Sequence, residues 1–236
     1  MVNITIDGRK VQAKEGSTIL QNAQAERIDI PTLCFHKDLS PFGACRLCTV
    51  EIKVKNQWKL AASCQVEVEE GMEVRTETEA VKESRKLAAA LLYYKHPATV
   101  AVRDMARKLG VAVAPTDEVD SRDCILCGLC TRTCQEIVGV AALRFQDRGL
   151  DRATEEPKIE FDATACIGCG SCAYACPTGF VRMEAVDGKR IIWDKVFKMA
   201  TCKVCGQYFA PIEQLEYIAR KTGVAVGNLM TCVSCR

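Results

Sequence analysis

Arg122-Asp-Cys-Ile-Leu-Cys-Gly-Leu-Cys-Thr-Arg-Thr-Cys134 recurs further along the chain as Ala165-Cys-Ile-Gly-Cys-Gly-Ser-Cys-Ala-Tyr-Ala-Cys-Pro177. Each copy reads Cys-x2-Cys-x2-Cys-x3-Cys. The repeat accounts for Cys124, Cys127, Cys130, Cys134, Cys166, Cys169, Cys172 and Cys176 among the 16 cysteines of the 236-residue chain. The remainder form two further quartets, Cys34/Cys45/Cys48/Cys64 and Cys202/Cys205/Cys232/Cys235, and none is left over. The bland reading of such richness is a disulfide scaffold. Against it, the opening Met1-Val-Asn-Ile-Thr-Ile-Asp-Gly-Arg-Lys10 lacks the apolar stretch of an export signal. The cysteines also sit in tight Cys-x-x-Cys pairs, which in a reducing compartment read as metal or redox sites. A cytoplasmic location is expected.

The repeat spacing lets one loop wrap three corners of an iron–sulfur cube, with the fourth cysteine at the start of a helix. In two-cluster proteins of this pattern that fourth cysteine ligates the other cluster. One [4Fe–4S] is therefore assigned to Cys124, Cys127, Cys130 and Cys176, and the second to Cys166, Cys169, Cys172 and Cys134. Such interleaving keeps two cubes close together. Gly128, Gly168 and Gly170 fit loops that must curl their N–H groups toward sulfur. Ile125, Leu126, Leu129 and Ile167 would keep water away. Zinc does not need three cysteines at this spacing, nor a duplicated array. The first copy ends Cys134-Gln135 where the second keeps Cys176-Pro177; the proline aids a turn and ligates nothing.

The first quartet spaces as Cys-x10-Cys-x2-Cys-x15-Cys. Plant-type ferredoxins also set four cysteines around a [2Fe–2S] in a β-rich domain, with a shorter first gap, so one [2Fe–2S] is assigned to Cys34, Cys45, Cys48 and Cys64. In the last quartet, Cys202-Lys-Val-Cys205-Gly206 and Cys232-Val-Ser-Cys235 resemble zinc knuckles. The same thiolates could hold a fourth iron–sulfur cluster, and the sequence leaves zinc and cluster both open.

The surroundings give an α+β organisation. Residues 1–78 look β-rich: Val2, Ile4 and Ile6 alternate, Asp7-Gly8 turns, and Val11 and Ala13 return. Thr18-x-x-Gln21 boxes a short helix to about Ala25. Val50, Ile52 and Val54, then Trp58 and Leu60 beyond Lys55-Asn56-Gln57, and finally Met72, Val74 and Thr76, complete a β-grasp pattern with one helix. Residues 79–120 read as helical. Val81, Arg85, Ala88 and Leu92 form a stripe that Leu87 and Leu91 widen, a second helix covers Ala98–Leu109 up to Gly110, and Ala112–Asp120 is a linker. Residues 121–199 form a two-[4Fe–4S], bacterial-ferredoxin-like domain with a hairpin over Val186–Trp193 around Asp187-Gly188. Residues 200–236 are a four-cysteine tail whose helix presents Ile212, Leu215 and Ile218.

The formal net charge of +2 suggests no nucleic-acid or membrane surface, and no apolar run reaches the length of a membrane span. No Ser/His/Asp set, phosphate-binding loop or dinucleotide fingerprint is present, so no catalytic residue is assigned. His36 reads as an exposed loop histidine. The pairs Glu69/Glu70 and Glu155/Glu156 read as solvated surface. Arg46, Arg122 and Arg132 read equally as surface charge or as offsets to cluster charge.

These residues resemble a family. Pro31-Thr-Leu-Cys34, Gly43-Ala-Cys-Arg-Leu-Cys48, Ala62-Ser-Cys64, Arg122-Asp-Cys124, Cys134-Gln-Glu-Ile-Val-Gly139 and Cys176-Pro-Thr-Gly179 are similar to the N-terminal iron–sulfur region of the large subunit of respiratory complex I. They are closer still to the corresponding part of NAD-linked and electron-bifurcating hydrogenases. The resemblance covers about residues 1–185. That family often has a further cluster in the pattern His-Pro-x2-Cys-x2-Cys-x5-Cys. Here His96-Pro97 is followed by Val100, Arg103 and Leu109 at the cysteine positions, so that cluster is not expected, and His96 becomes a helix-boundary residue. Bifurcating iron-only hydrogenases of that family continue into a hydrogen-activating domain, and with the sequence ending at Arg236 hydrogen activation by this chain itself is not expected. The resemblance implies an electron-transfer subunit of a soluble NAD-linked oxidoreductase, above all an electron-bifurcating hydrogenase. Its implied partners are a flavin-bearing NAD(H) subunit, a small thioredoxin-like [2Fe–2S] subunit, a separate hydrogenase or other catalytic subunit, and ferredoxin. The alternatives are a freestanding polyferredoxin shuttle and the relay subunit of a formate dehydrogenase.

Overall fold

The computed structural model describes residues 1–115, 122–146 and 158–236. The linker expected over Ala112–Asp120 therefore lies partly outside the described residues, and Glu155 and Glu156 lie wholly outside them. The chain divides into two compact units, Met1–Leu129 and Cys130–Arg236, each described by itself.

In the first unit, β1 (Val2–Ile6) and β2 (Arg9–Ala13) pair antiparallel across Asp7-Gly8. Both turn residues have positive φ (49° and 79°), as the tightest hairpin turns require. The strands turn Ile4, Ile6, Val11 and Ala13 inward onto Ile19 and Leu20 of α1 (Ile19–Ala25). Helix α1 starts in a complete capping box. The Thr18 hydroxyl accepts from the Gln21 N–H at 3.3 Å, and the Gln21 amide oxygen accepts from the Thr18 N–H at 2.8 Å. β3 (Thr49–Val54) and β4 (Gln57–Ala62) form a second hairpin over Lys55-Asn56. β5 (Glu73–Arg75) lies parallel to β1 and antiparallel to β3, giving the order β2-β1-β5-β3-β4. This is the expected mixed sheet with one helix. The Asp7 carboxylate pins the sheet's last strand by accepting from the Thr76 N–H (2.7 Å) and hydroxyl (2.5 Å).

Helices α2 (Glu79–Lys95) and α3 (Val100–Lys108) follow. The buried face of α2 is Val81, Arg85 and Ala89. Leu87 and Leu91, read from the sequence as widening that face, are 62% and 63% exposed, because they sit more than a quarter turn from it at 3.6 residues per turn. Arg85 is 3% exposed and donates from Nε to the Thr49 carbonyl at 2.9 Å, tying the helix to β3. His96 caps the C-terminus of α2, and Thr99 is the N-cap residue of α3.

Helix α4 (Leu129–Arg132) begins at the junction of the units and widens into a π-helical stretch over Thr133–Val138. In the second unit, β6 (Leu143–Gln146) and β7 (Lys158–Phe161) pair antiparallel, a pairing the sequence reading missed. After α5 (Ser171–Ala175) come β8 (Met183–Val186), β9 (Lys189–Ile192), β10 (Lys195–Thr201) and β11 (Tyr208–Pro211). They form one antiparallel sheet in the order β11-β10-β9-β8. The hairpin expected around Asp187-Gly188 is β8–β9. The division drawn at 199/200 falls inside β10, so the tail shares a sheet with the segment before it. Helices α6 (Ile212–Thr222) and α7 (Val226–Leu229) pack Leu215 and Leu229 against Ala200 and Ala210.

Phe197, at the middle of β10, is fully buried beside Cys130, Val181 and Ile192, with Cys166 and Cys172 packed against the same cluster. Phe197→Ala should cost about 3–5 kcal/mol. The check is an anaerobic thermal melt, in which cluster absorbance should bleach several degrees earlier than in the parent protein.

Candidate metal centres

Among the described residues no two cysteines form a disulfide. In the first unit Cys34, Cys45, Cys48 and Cys64 are all buried. They come from the irregular stretch between α1 and β3 and from the end of β4. The Cys45 N–H approaches Cys34 Sγ at 3.5 Å. Arg46, between the paired cysteines, takes a left-handed φ of 59° that curls the loop. On its other side the Ser63 hydroxyl donates to the Cys48 carbonyl at 2.7 Å. The Gln65 amide oxygen, turned toward the loop, accepts from the N–H groups of Phe42 (3.0 Å) and Gly43 (3.1 Å). The electrostatics shows what this set needs. Hydrogen bonding from Cys64 draws the Cys48 thiol down to about 6. Hydrogen bonding to Cys34 and burial push Cys45 up, and hydrogen bonding to Cys48 and burial push Cys64 up. Four buried thiolates this close cannot all ionise without a cationic centre among them, so the set fits a cluster.

In the second unit Cys134, Cys166, Cys169 and Cys172 line one cavity, whose wall is otherwise mainly apolar, with Leu143, Phe161, Ile167 and Trp193. The π-helical stretch carries Cys134 from the first repeat into this group. Burial pushes the Cys134 thiol up, while backbone N–H groups of Ala142, Leu143 and Ala141 pull the other way; Ala142 N lies 3.2 Å from the sulfur. Such a row of N–H groups makes an anion-binding concavity. Cys130 and Cys176 belong to the adjoining apolar core. Cys124 and Cys127 fall in the other unit, so the quartet Cys124/Cys127/Cys130/Cys176 rests on its spacing.

Two cations that sequence reasoning missed hold the Cys166–Cys169 loop. Arg190 of β9 donates to the carbonyls of Gly168 (3.0 Å) and Cys169 (3.3 Å). Lys195 of β10 donates to those of Ala163 (2.6 Å) and Cys166 (3.0 Å). Their partners lie more than twenty residues away, and nothing local in the sequence marks them.

In the tail, the sulfurs of Cys202, Cys205, Cys232 and Cys235 all lie within 4.8 Å of one another, with Cys205 and Cys232 3.8 Å apart. These four could hold a metal. The backbone N–H groups of Cys205 and Cys232 lower the Cys202 thiol to about 6, whereas hydrogen bonds with Cys232 and Cys205 push Cys235 up to about 12.

After His96-Pro97, Arg103 is buried and donates to the carbonyls of Pro97 and Ala114, both at 2.8 Å. A guanidinium staples the chain there. His36 lies beside Asp38 in an exposed loop.

Gly168 has φ +68°, and a Cβ on it would stand 2.6 Å from the Phe197 ring. Gly16 has φ +75° but open space around it. Gly168→Ala should cost about 1–3 kcal/mol beyond Gly16→Ala. Iron analysis should show a loss of about four iron per chain in the first variant only; equal iron in both would refute the close-approach argument.

Comparison with known proteins agrees with this arrangement. Residues 1–79 match the 2Fe-2S iron-sulfur cluster binding domain, and residues 123–180 match the 4Fe-4S dicluster domain. The chain is 32% identical over 244 residues to NADPH-Fe(3+) oxidoreductase subunit alpha of Geobacter sulfurreducens, covering 93% of this chain and 28% of that protein. It is 33% identical over 175 residues to the NADH-ubiquinone oxidoreductase 75 kDa subunit of Reclinomonas americana, covering 64% and 25%. It thus spans about a quarter of the length of these relatives. A chain in the crystal structure of NAD+-reducing [NiFe]-hydrogenase in the H2-reduced state shares the fold, with a TM-score of 0.59 and 24% identity over 75% of this chain and 85% of that one. The chain thus carries a 2Fe-2S iron-sulfur cluster binding domain followed by a 4Fe-4S dicluster domain, and is similar over that stretch to subunits of NADH and NADPH oxidoreductases.

Proposed function

We propose that this chain is the electron relay of an NAD-linked oxidoreductase complex. The observation that carries this reading is the joining of a 2Fe-2S domain and a 4Fe-4S dicluster domain in one chain, with no catalytic constellation among the described residues. The relay holds one [2Fe–2S] on Cys34, Cys45, Cys48 and Cys64. One [4Fe–4S] sits on Cys124, Cys127, Cys130 and Cys176, and another on Cys134, Cys166, Cys169 and Cys172. The clusters supply one-electron transfer; the protein holds them in reach of one another and sets their potentials through hydrogen bonds and burial. The related NADPH-Fe(3+) and NADH-ubiquinone oxidoreductase subunits support a flavin-bearing NAD(H) subunit as one neighbour. An electron-bifurcating hydrogenase is the complex we favour. It would add a thioredoxin-like [2Fe–2S] subunit, a separate catalytic subunit and ferredoxin.

The tail reads as a single-ion zinc site. Zinc–sulfur bonds of about 2.3 Å in a tetrahedron place sulfurs about 3.8 Å apart, which the tail's sulfur separations approach. In a four-iron cube each thiolate binds a different iron, and the sulfurs stand farther apart.

The test is iron, zinc and acid-labile sulfide on anaerobically purified protein, before and after separation from co-purifying subunits. The expected result is about ten iron and one zinc per chain, with a flavoprotein that oxidises NADH in the co-purifying fraction. About twelve to fourteen iron with no zinc would overturn the tail assignment. A fully loaded chain that purifies alone would favour the freestanding shuttle, and little iron would end the relay reading. Cys205→Ser should remove the zinc and leave the iron. Zinc must displace the thiol protons, so uptake by tail-stripped protein, measured against a competing chelator, should weaken as pH falls, and more steeply below about 6, where Cys202 also takes up its proton.

A further inference from the structure

The hairpin between β9 and β10 is built on an unusual residue. Ile192 pairs with Lys195, leaving Trp193 and Asp194 as the two-residue turn, with φ of 52° and 61°. Such turns favour Asn-Gly or Asp-Gly, and the chain uses Asp7-Gly8 and Asp187-Gly188 at two other hairpins. A bulky residue with left-handed φ is a strained exception. The turn itself gains nothing from tryptophan, so the reason lies in where the side chain goes.

The indole stacks on Phe161 (centroids 5.8 Å apart, 16° between planes) and meets Phe180 edge-on at 5.9 Å. These contacts hold it against the cavity that it lines with Cys134, Cys166, Cys169 and Cys172. Its Nε1 is sealed from solvent and, among the described residues, makes no full hydrogen bond. A buried indole N–H normally finds an acceptor. The acceptor toward which it is placed is the Cys172 sulfur, which lines the same cavity and packs in the same cluster of side chains.

We propose that Trp193 is a positioning residue for the cluster of Cys134, Cys166, Cys169 and Cys172, donating its indole N–H to the Cys172 thiolate and raising that cluster's reduction potential. The proposal rests on the assignment of those four cysteines to one four-iron cluster. Reduction adds one electron and deepens the negative charge on the sulfurs. A fixed N–H donor therefore favours the reduced state more than the oxidised one, and a largely apolar wall strengthens the effect. No bond is made or broken, and the proton stays on the indole nitrogen.

The experiment is an EPR-monitored redox titration of the full, cluster-loaded chain and of Trp193→Phe, with iron content measured on both. One four-iron couple should move to lower potential by about tenfold in its reduction equilibrium, about 59 mV for one electron, while the other couples stay in place. In parent protein exchanged into deuterium oxide, pulsed EPR should find, beyond the backbone deuterons near Cys134, a further exchangeable deuteron coupled to that reduced four-iron cluster, absent in Trp193→Phe. Phe161→Leu, which loosens the stack and keeps the N–H, should retain that deuteron. Unchanged potentials in fully loaded Trp193→Phe would overturn the proposal. So would the lack, in parent protein carrying nitrogen-15 in its tryptophan indoles, of a coupled indole nitrogen at a reduced four-iron cluster, even if the variant fails to load. A parent protein with fewer than two four-iron clusters would instead sink the cluster assignment.

Discussion

Bringing four thiolates into one small, poorly solvated space is the constraint on which this structure turns. Sulfur anions repel one another, and burial penalises each charge again. In the N-terminal quartet one thiol, Cys48, is drawn down while Cys45 and Cys64 are driven up. In the tail, Cys202 and Cys235 part in the same way. Each set has the make-up of a ligand shell: a metal centre would meet its charge, and metal binding would supply folding free energy that such small cores lack. The tail core around Ala200, Ala210 and Leu215 has few side chains to contribute on its own.

The rest of the architecture keeps the backbone rigid around these shells. Strands and helices carry few of the cysteines; most ligands sit on irregular loops between them. Those loops are held by hydrogen bonds from outside. Gln65 reaches the Phe42–Gly43 backbone, Ser63 takes the Cys48 carbonyl, and Arg190 and Lys195 hold the carbonyls of the Cys166–Cys169 loop. The two cations also bring positive charge close to a set of thiolates. Arg103 shows another use of a cation, as a staple between the backbone carbonyls of Pro97 and Ala114.

Much of this was legible in the chain because the signals were local. Alternation gave β1 to β4, Thr18 and Gln21 gave the capped start of α1, and Asp187-Gly188 gave the β8–β9 turn. Cysteine spacing proposed the grouping of Cys134 with Cys166, Cys169 and Cys172, and those residues line one cavity. What escaped was long-range. The β6–β7 pair joins segments that end at Gln146 and resume at Lys158, too far apart for a tight-turn signal to mark the pairing. β10 opens on Lys195 and carries Lys198 in mid-strand, and its inward Phe197 and Met199 give only two alternating apolar beats. The roles of Arg190, Lys195 and Trp193 exist only once β9 and β10 fold back over the loop. The exposed Leu87 and Leu91 show the opposite error, in which apolar residues were counted onto a helix face without their angular position.

β10 links two kinds of chemistry through one stiff element. Lys195 and Phe197 sit toward its start, against the Cys166–Cys169 loop, and Cys202 follows directly on its last residue, Thr201. A strand this short frays or holds as a unit. Any disturbance of the tail quartet would therefore be felt along the strand that covers the Cys166–Cys169 loop, so two groups of cysteines share one mechanical support.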